Sequence, residues 1–142
     1  MRDAFGGQGD SPAVGGVARG GGISNAGGPT LTTGGISTTV IDSVVADNLA
    51  QGAGGSAGNG GNGLGGGFFV DAHAALILKG DTVSDNQAIG GAGAAGFSNG
   101  KGQGGGVYVA SGGSACADDA TIIDGNSAST SSNDVFGLLE TC

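Results

Sequence analysis

Apolar residues in this chain come in short runs, and the runs keep a fixed order. Three glycines lead into a first run: Ile-Ser after Gly20, Phe-Phe-Val after Gly65 and Val-Tyr-Val after Gly104. A polar turn and a second run follow: Thr-Thr-Val-Ile, Ala-Leu-Ile-Leu-Lys, or the weaker Ala-Cys-Ala-Asp-Asp-Ala. A third run, Ser-Val-Val-Ala, Asp-Thr-Val-Ser or Thr-Ile-Ile-Asp, ends at Asn-x-Ala. Those asparagines are Asn48, Asn86 and Asn126, at 28, 21 and 22 residues from the first glycine of their units. The longer first unit carries an insertion within Gly-Gly-Pro-Thr-Leu-Thr-Thr-Gly-Gly-Ile-Ser-Thr-Thr.

Runs that are short, β-branched and bounded by Gly, Asp, Asn and Ser read as strands. No window sustains the i, i+3, i+4 pattern of a helix. Three short strands per unit of about 22 residues, repeated, predict an all-β parallel β-helix, a solenoid of about three coils plus a partial one. The coils are expected at 20–51, 65–89 and 104–128. Residues 1–19 read as the end of a preceding glycine-rich segment, and 129–142 as a C-terminal partial coil in which Asp-Val-Phe-Gly lies over Val107–Val109. Within the first strand Ile23, Phe68, Val70, Val107 and Val109 are expected to point inward. Val45, Val83 and Ile123, each three residues before an asparagine, should stack in the third. Asn48, Asn86 and Asn126 then form a ladder at one corner, since Asn tolerates the left-handed conformation and its amide can bond to the next coil. Glycine-rich excursions, 52–64 and 90–103, separate the coils. They are either flexible loops or extended segments packed side by side, because glycine allows close backbone approach.

Composition sharpens this picture. Of 142 residues 36 are glycine, without the G-X-Y period of collagen. Glycine contributes no side chain, so the core must come from the short Val, Ile, Leu and Phe runs. The net charge is −8, and the four basic residues Arg2, Arg19, Lys79 and Lys101 are scattered. Nucleic-acid binding, which needs clustered Lys and Arg, is therefore not expected. No apolar run is long enough to span a membrane, and no signal-peptide pattern follows Met1. An acidic, Gly/Ala/Ser/Asn/Thr-rich chain suits an extracellular surface, and the chain reads as a mature or truncated piece. Cys116 and Cys142 are either one bridge or two free thiols.

The order GGG, two apolar residues, an apolar strand and then Thr-Val-Ser-Asp-Asn-Gln-Ala or Thr-Ile-Ile-Asp-Gly-Asn-Ser-Ala resembles the coils of right-handed parallel β-helix proteins of pectin-lyase-like fold. It is similar in particular to the repeats of polymorphic outer membrane proteins and bacterial surface adhesins. The resemblance covers about residues 20–137, with Ser-Asp-Asn and Asp-Gly-Asn where the adhesin pattern has FxxN. By composition the excursions resemble the glycine-rich domains of mycobacterial surface proteins. The resemblance implies secretion, surface attachment and adhesion, with carbohydrate or a host or cell-surface protein as partner. No anchor or transporter segment is read within the chain.

Candidate chemistry is sparse. Pectate-lyase-like catalysis would need an Asp cluster for calcium and a basic residue beside it. Asp47 and Asp85 would stack, Asp124 is displaced by one position, and Lys79 lies a strand away. No basic residue recurs beside these acids, so a polysaccharide-active enzyme is the alternative rather than the expectation. Asp47 and Asp85 are also the candidates for weak Ca²⁺ contact, although a solvated acidic ridge is the preferred reading; no other metal and no cofactor is expected. His73 stands alone in a turn. Gly-Gly-Gln-Gly-Asp at 6–10 falls one residue short of a calcium nonapeptide and does not recur. Phe69 and Tyr108 should point outward on adjacent coils, either to grip a sugar ring or partner or to lie beneath an excursion, the preferred reading. Thr30, Thr32, Thr33, Thr38 and Thr39 crowd into one unit, which argues against an ice-binding array. The expectation is a non-enzymatic, adhesin-like extracellular segment presenting loops from a rigid solenoid. A self-assembling filament, stacked end to end, is the third alternative.

Overall fold

The computed structural model describes residues 3–7, 14–26 and 35–142. Residues 27–34 of the stretch expected to hold the first unit's insertion, with Thr30, Thr32 and Thr33, and residues 8–10 of the Gly-Gly-Gln-Gly-Asp stretch lie outside them. Every element among the described residues is a strand. The first six are β1 (Asp3–Phe5), β2 (Ala18–Arg19), β3 (Ile23–Asn25), β4 (Ile36–Ile41), β5 (Val44–Ala46) and β6 (Leu49–Gln51). Five more follow: β7 (Gly63–Leu64), β8 (Phe68–Val70), β9 (Ala74–Lys79), β10 (Thr82–Ser84) and β11 (Gln87–Ile89). Then come β12 (Gly102–Gln103), β13 (Val107–Val109), β14 (Ser114–Ala117), β15 (Ile122–Asp124) and β16 (Ser127–Ala128). The chain closes with β17 (Val135–Phe136) and β18 (Glu140–Thr141).

All named pairs are parallel, and they build five sheets: β2-β7-β12, β3-β8-β13-β17, β4-β9-β14-β18, β5-β10-β15 and β1-β6-β11-β16. Each repeat gives one strand to every sheet in the same order. That arrangement is compatible with a parallel β-helix-like fold. It also corrects the expectation of three strands per unit, for there are five. The two added strands, typified by β11 and β7, flank the glycine-rich segment. They are two or three residues long and are made of, or border on, Gly, Ala and Gln, so they lack the β-branched and aromatic enrichment by which a strand is recognised.

Register follows the sequence repeat. Phe68 pairs with Ile23 and Val107, and Val107 with Val135, so Asp-Val-Phe-Gly does lie over Val107–Val109. Val83 pairs with Val45 and Ile123. The core is a set of such columns: Phe68, Val70, Leu76, Leu78, Val83 and Val107 are fully buried, and Ile23, Val40, Val45, Ile123, Val135 and Leu139 pack against them. The central repeat is thus covered from both sides, and the outer ones supply the covers. Cys116 and Cys142 form a disulfide across 26 residues. It ties Cys142, just after β18, to Cys116 within β14, and a loop of that length constrains the unfolded chain by about 3.5 kcal/mol on the entropic account.

The glycine-rich segments are ordered and hydrogen-bonded. In each repeat two legs run between sheets. The Gly16 N–H donates to Gly7 O, Ala53 N–H to Gly16 O, Gly61 N–H to Ala53 O, Gly91 N–H to Gly61 O and Gly100 N–H to Gly91 O, all at 2.8–3.0 Å. One unbroken zigzag therefore links six legs across three repeats. Successive legs lie so close that a Cβ on Gly15, Gly52, Gly60, Gly61, Gly91 or Gly100 would overlap a neighbouring carbonyl. Of the two readings left open for these segments, side-by-side packing is the one the structure adopts.

Gly61→Ala should therefore lower stability by about 1–3 kcal/mol through overpacking against the Gly16 carbonyl. Gly54→Ala, whose nearest contact would be Ala92 O at 3.6 Å, should be neutral or slightly stabilising. Urea unfolding of the two variants side by side measures the contrast; equal effects would mean that the legs are not packed as described.

Candidate functional site

The asparagine corner is built by the residue before each asparagine. Asp47 and Asp85 have φ of 56° and 55°, and Gly125 has φ of 72°. This left-handed residue turns the chain so that the next side chain enters the interior, and Asn48, Asn86 and Asn126 are 6%, 0% and 5% exposed. The asparagines themselves do not take the left-handed conformation expected of them. Asp is among the few residues other than Gly that tolerate it, which explains the Asp-Asn and Gly-Asn dipeptides.

The carboxamides then bond along the stack. Asn48 Nδ2 donates to Asn86 Oδ1 at 2.8 Å, and Asn86 Nδ2 to Asn126 Oδ1 at 2.9 Å. Each acceptor also takes the backbone N–H of the preceding rung, at 3.1 and 3.0 Å. Second amide hydrogens go to Val45 O and Val83 O. A fourth rung was not foreseen: Asp134 Oδ1 accepts from both the backbone N–H and Nδ2 of Asn126, at 3.1 and 3.0 Å. Its only sequence signal is its place just before the Val-Phe that starts the last pairing.

The GGG motif belongs to the same corner. A Cβ on the third glycine would meet the carboxamide nitrogen of the asparagine at 3.1 Å for Gly22 and Asn48, 3.2 Å for Gly67 and Asn86, and 2.9 Å for Gly106 and Asn126. The second glycine lies against the backbone of the residue after the asparagine. The first, with φ near 65° in each copy, makes the turn. Each glycine thus has its own reason.

Outside this corner Asp47 and Asp85 are exposed. Together with Asp3, Asn48, Leu49 and Gln87 they line a shallow hollow of about 140 Å³. Asp124 pairs with Ser84, one register position away, and its carboxylate accepts from the adjacent Gly125 N–H. Among the described residues no three His, Cys, Asp or Glu side chains converge on a metal-sized site. Lys79 is exposed at the end of β9, and His73 is exposed with φ of 63° in the turn before it. Thr38 and Thr39 pair with Leu76 and Ile77, so the threonine column stops after one repeat.

The outward aromatics form a column of three. Tyr108 stacks on Phe69 at 5.5 Å between centroids and on Phe136 at 4.9 Å, with interplanar angles of 9° and 1°. Such pairs contribute about 0.5–1.5 kcal/mol each beyond area burial. The Arg19 guanidinium lies 5.6 Å over Phe69, which is 3% exposed. The cover expected from a glycine excursion thus includes a cation from β2. Neither Phe136 nor Arg19 was singled out in the sequence. Phe136 was recoverable there, because the Val107–Val135 pairing carries Phe136 onto Tyr108.

A second polar corner joins the β4-β9-β14 and β5-β10-β15 sheets. Fully buried Asp81 accepts from Ser43 N–H and Lys79 N–H, both at 2.8 Å. Asp118 Oδ1 accepts from Gly80 N–H at 3.0 Å and from Thr121 Oγ1 at 2.8 Å. The Gly80 and Thr121 hydrogen bonds hold the Asp118 carboxyl below its ordinary value of 3.8. A depressed carboxylate contributes stability above its unfolded pKa and loses it as pH falls through the folded one.

Asn86→Ala removes two donors and strands the acceptors and donors of both neighbours, so a loss of about 2–5 kcal/mol is expected, read by urea unfolding. Separately, the urea midpoint should hold above about pH 5 and decline as pH falls below about 4, with Asp118→Asn flattening that decline; an unchanged pH profile in the variant would remove Asp118 from the account. No protein-family model matches the chain, and neither a curated protein nor a solved structure matches it.

Proposed function

We propose that the chain is a right-handed parallel β-helix and serves as a non-enzymatic, adhesin-like structural element of an extracellular surface. One observation carries the reading: backbone hydrogen bonds run from repeat to repeat through the glycine legs as well as through the sheets. A segment with few side chains is ordinarily mobile. Here it is held as a two-legged slab beside the core, so the whole cross-section acts as one rigid rod. The slab presents Val14, Val17, Asn59, Ser98 and Lys101, all exposed, around a broad hollow of about 400 Å³. The disulfide supports an oxidising compartment, since structural disulfides persist there. The partner class is carbohydrate or a cell-surface protein, met by the slab or by the edge of the aromatic column.

A glycan-array screen, paired with a reducing-sugar release assay on hits and on pectic polysaccharides, tests this. Binding without release is the expected outcome. Release of sugar ends would overturn it in favour of a polysaccharide-active enzyme, with Asp47 and Asp85 as the first residues to replace.

A further inference from the structure

Three of the chain's eight asparagines are followed by glycine: Asn59-Gly60, Asn62-Gly63 and Asn99-Gly100. All three stand on the second glycine leg of a repeat, and none belongs to the buried ladder. Asn-Gly is the dipeptide in which the asparagine side chain is most open to attack by the backbone, because glycine puts no Cβ beside the reacting nitrogen. The glycine nitrogen bonds to the asparagine Cγ, the Cγ–Nδ2 bond breaks, and ammonia leaves with the glycine's proton. Water then opens the resulting succinimide ring at either carbonyl, giving aspartate or isoaspartate. Isoaspartate routes the main chain through the former side chain and so lengthens the leg by a methylene.

At the first two sites a single residue of the next repeat holds both reacting groups. The Ser98 N–H donates to Asn59 Oδ1 at 3.0 Å, and Ser98 O accepts the Gly60 N–H at 3.0 Å. Lys101, 39 residues beyond Asn62, does the same: its N–H donates to Asn62 Oδ1 at 2.8 Å, and its carbonyl accepts the Gly63 N–H at 2.9 Å. The carbonyl to be attacked is thus pinned in direction, while the attacking nitrogen keeps its proton on another acceptor. Gly60 and Gly63 are also buried. Asn99 has no such clamp. Its Oδ1 accepts from the Gly93 N–H and the Gly100 N–H donates to Gly91 O, so both bonds stay within its own excursion. The third repeat runs from Ala128 to Val135 without a glycine excursion. Its Ser129 and Thr130 bond to Ala88, Gly90 and Gly102, to either side of Asn99. Asn99 is exposed and Gly100 half-buried. We infer that the slab is a site of spontaneous deamidation guarded by its own packing. Closed legs protect Asn59 and Asn62, Asn99 converts first, and a repeat whose legs open is marked at its asparagines. Isoaspartate at 59 carries Gly60 away from Ser98, so a marked leg does not regain its register.

The experiment incubates the purified full chain at mildly alkaline pH, folded and in concentrated urea, and follows each asparagine by peptide mass after peptic digestion. Conversion of amide to acid raises the mass, whereas Asp124-Gly125 can only isomerise and does not register. In the folded chain Asn59 and Asn62 should convert at least about tenfold more slowly than in urea, and Asn99 about threefold more slowly or less. Gly61→Ala crowds the Gly16 carbonyl and leaves both dipeptides intact. It should raise the folded-state rates at Asn59 and Asn62 by about threefold or more and leave the urea rates unchanged. Equal folded and urea rates at Asn59 and Asn62 overturn the inference, as does a folded chain in which Asn99 converts no faster than they do. So does a folded Gly61→Ala variant with unchanged rates. If that variant fails to fold by circular dichroism, the folded and urea rates of the unmodified chain decide the matter. No glycan enters the measurement, so its failure leaves the surface-binding reading untouched.

Discussion

Everything in this molecule depends on how closely the GGG turn approaches the asparagine ladder. The third glycine of each repeat rests against a carboxamide, and the second against the backbone that follows it. A side chain at either place would push the two corners apart. The sheets on both sides would then lose their common level. Because the asparagines are buried, their amides must be satisfied within the stack, and the partners at the right spacing are the asparagines of adjacent repeats, the Val45 and Val83 carbonyls and Asp134. Close approach and ladder therefore require each other, which is why the two motifs recur together along the chain.

The same logic governs the glycine legs. A chain with 36 glycines loses much conformational entropy on folding and gains little apolar burial in return. The offset comes from backbone hydrogen bonds in which both partners are main chain, made possible because no Cβ separates the legs. Side chains are concentrated in the opposite half, where Phe68, Leu76, Leu78, Val83 and Val107 fill the interior of the two outlying repeats' middle neighbour and its contacts. One half is thus held by packing and the other by hydrogen bonds, with the GGG–asparagine contact at their junction. The disulfide and Asp134 finish the trailing end, the first by a covalent tie and the second by standing in for a missing asparagine.

Much of this was legible in the order of residues. The β-type runs, their inward positions, the shared rung of Asn48, Asn86 and Asn126, and the placing of Asp-Val-Phe-Gly over Val107–Val109 all follow from local composition and repeated spacing. These are properties of short segments, and a pattern that recurs can be aligned to itself. The strands on either side of the glycine segments were not legible. Gly63–Leu64 and Gly102–Gln103 have no strand preference of their own; they are extended because their neighbours in the next repeat are. Asp81 and Asp118 escaped notice for a related reason, since their partners are backbone N–H groups of other repeats and leave no mark on the sequence nearby.

Sequence alone determined that the chain is all-β, that it repeats, and which side chains share a column, because period and alternation are carried by each segment independently. Tertiary structure alone decided whether the glycine segments are loose or packed, whether Cys116 reaches Cys142, and how Arg19 comes to lie over Phe69. Each of those outcomes turns on distances of a few ångströms between residues far apart in the chain. Such distances are set only when all five sheets stack at once.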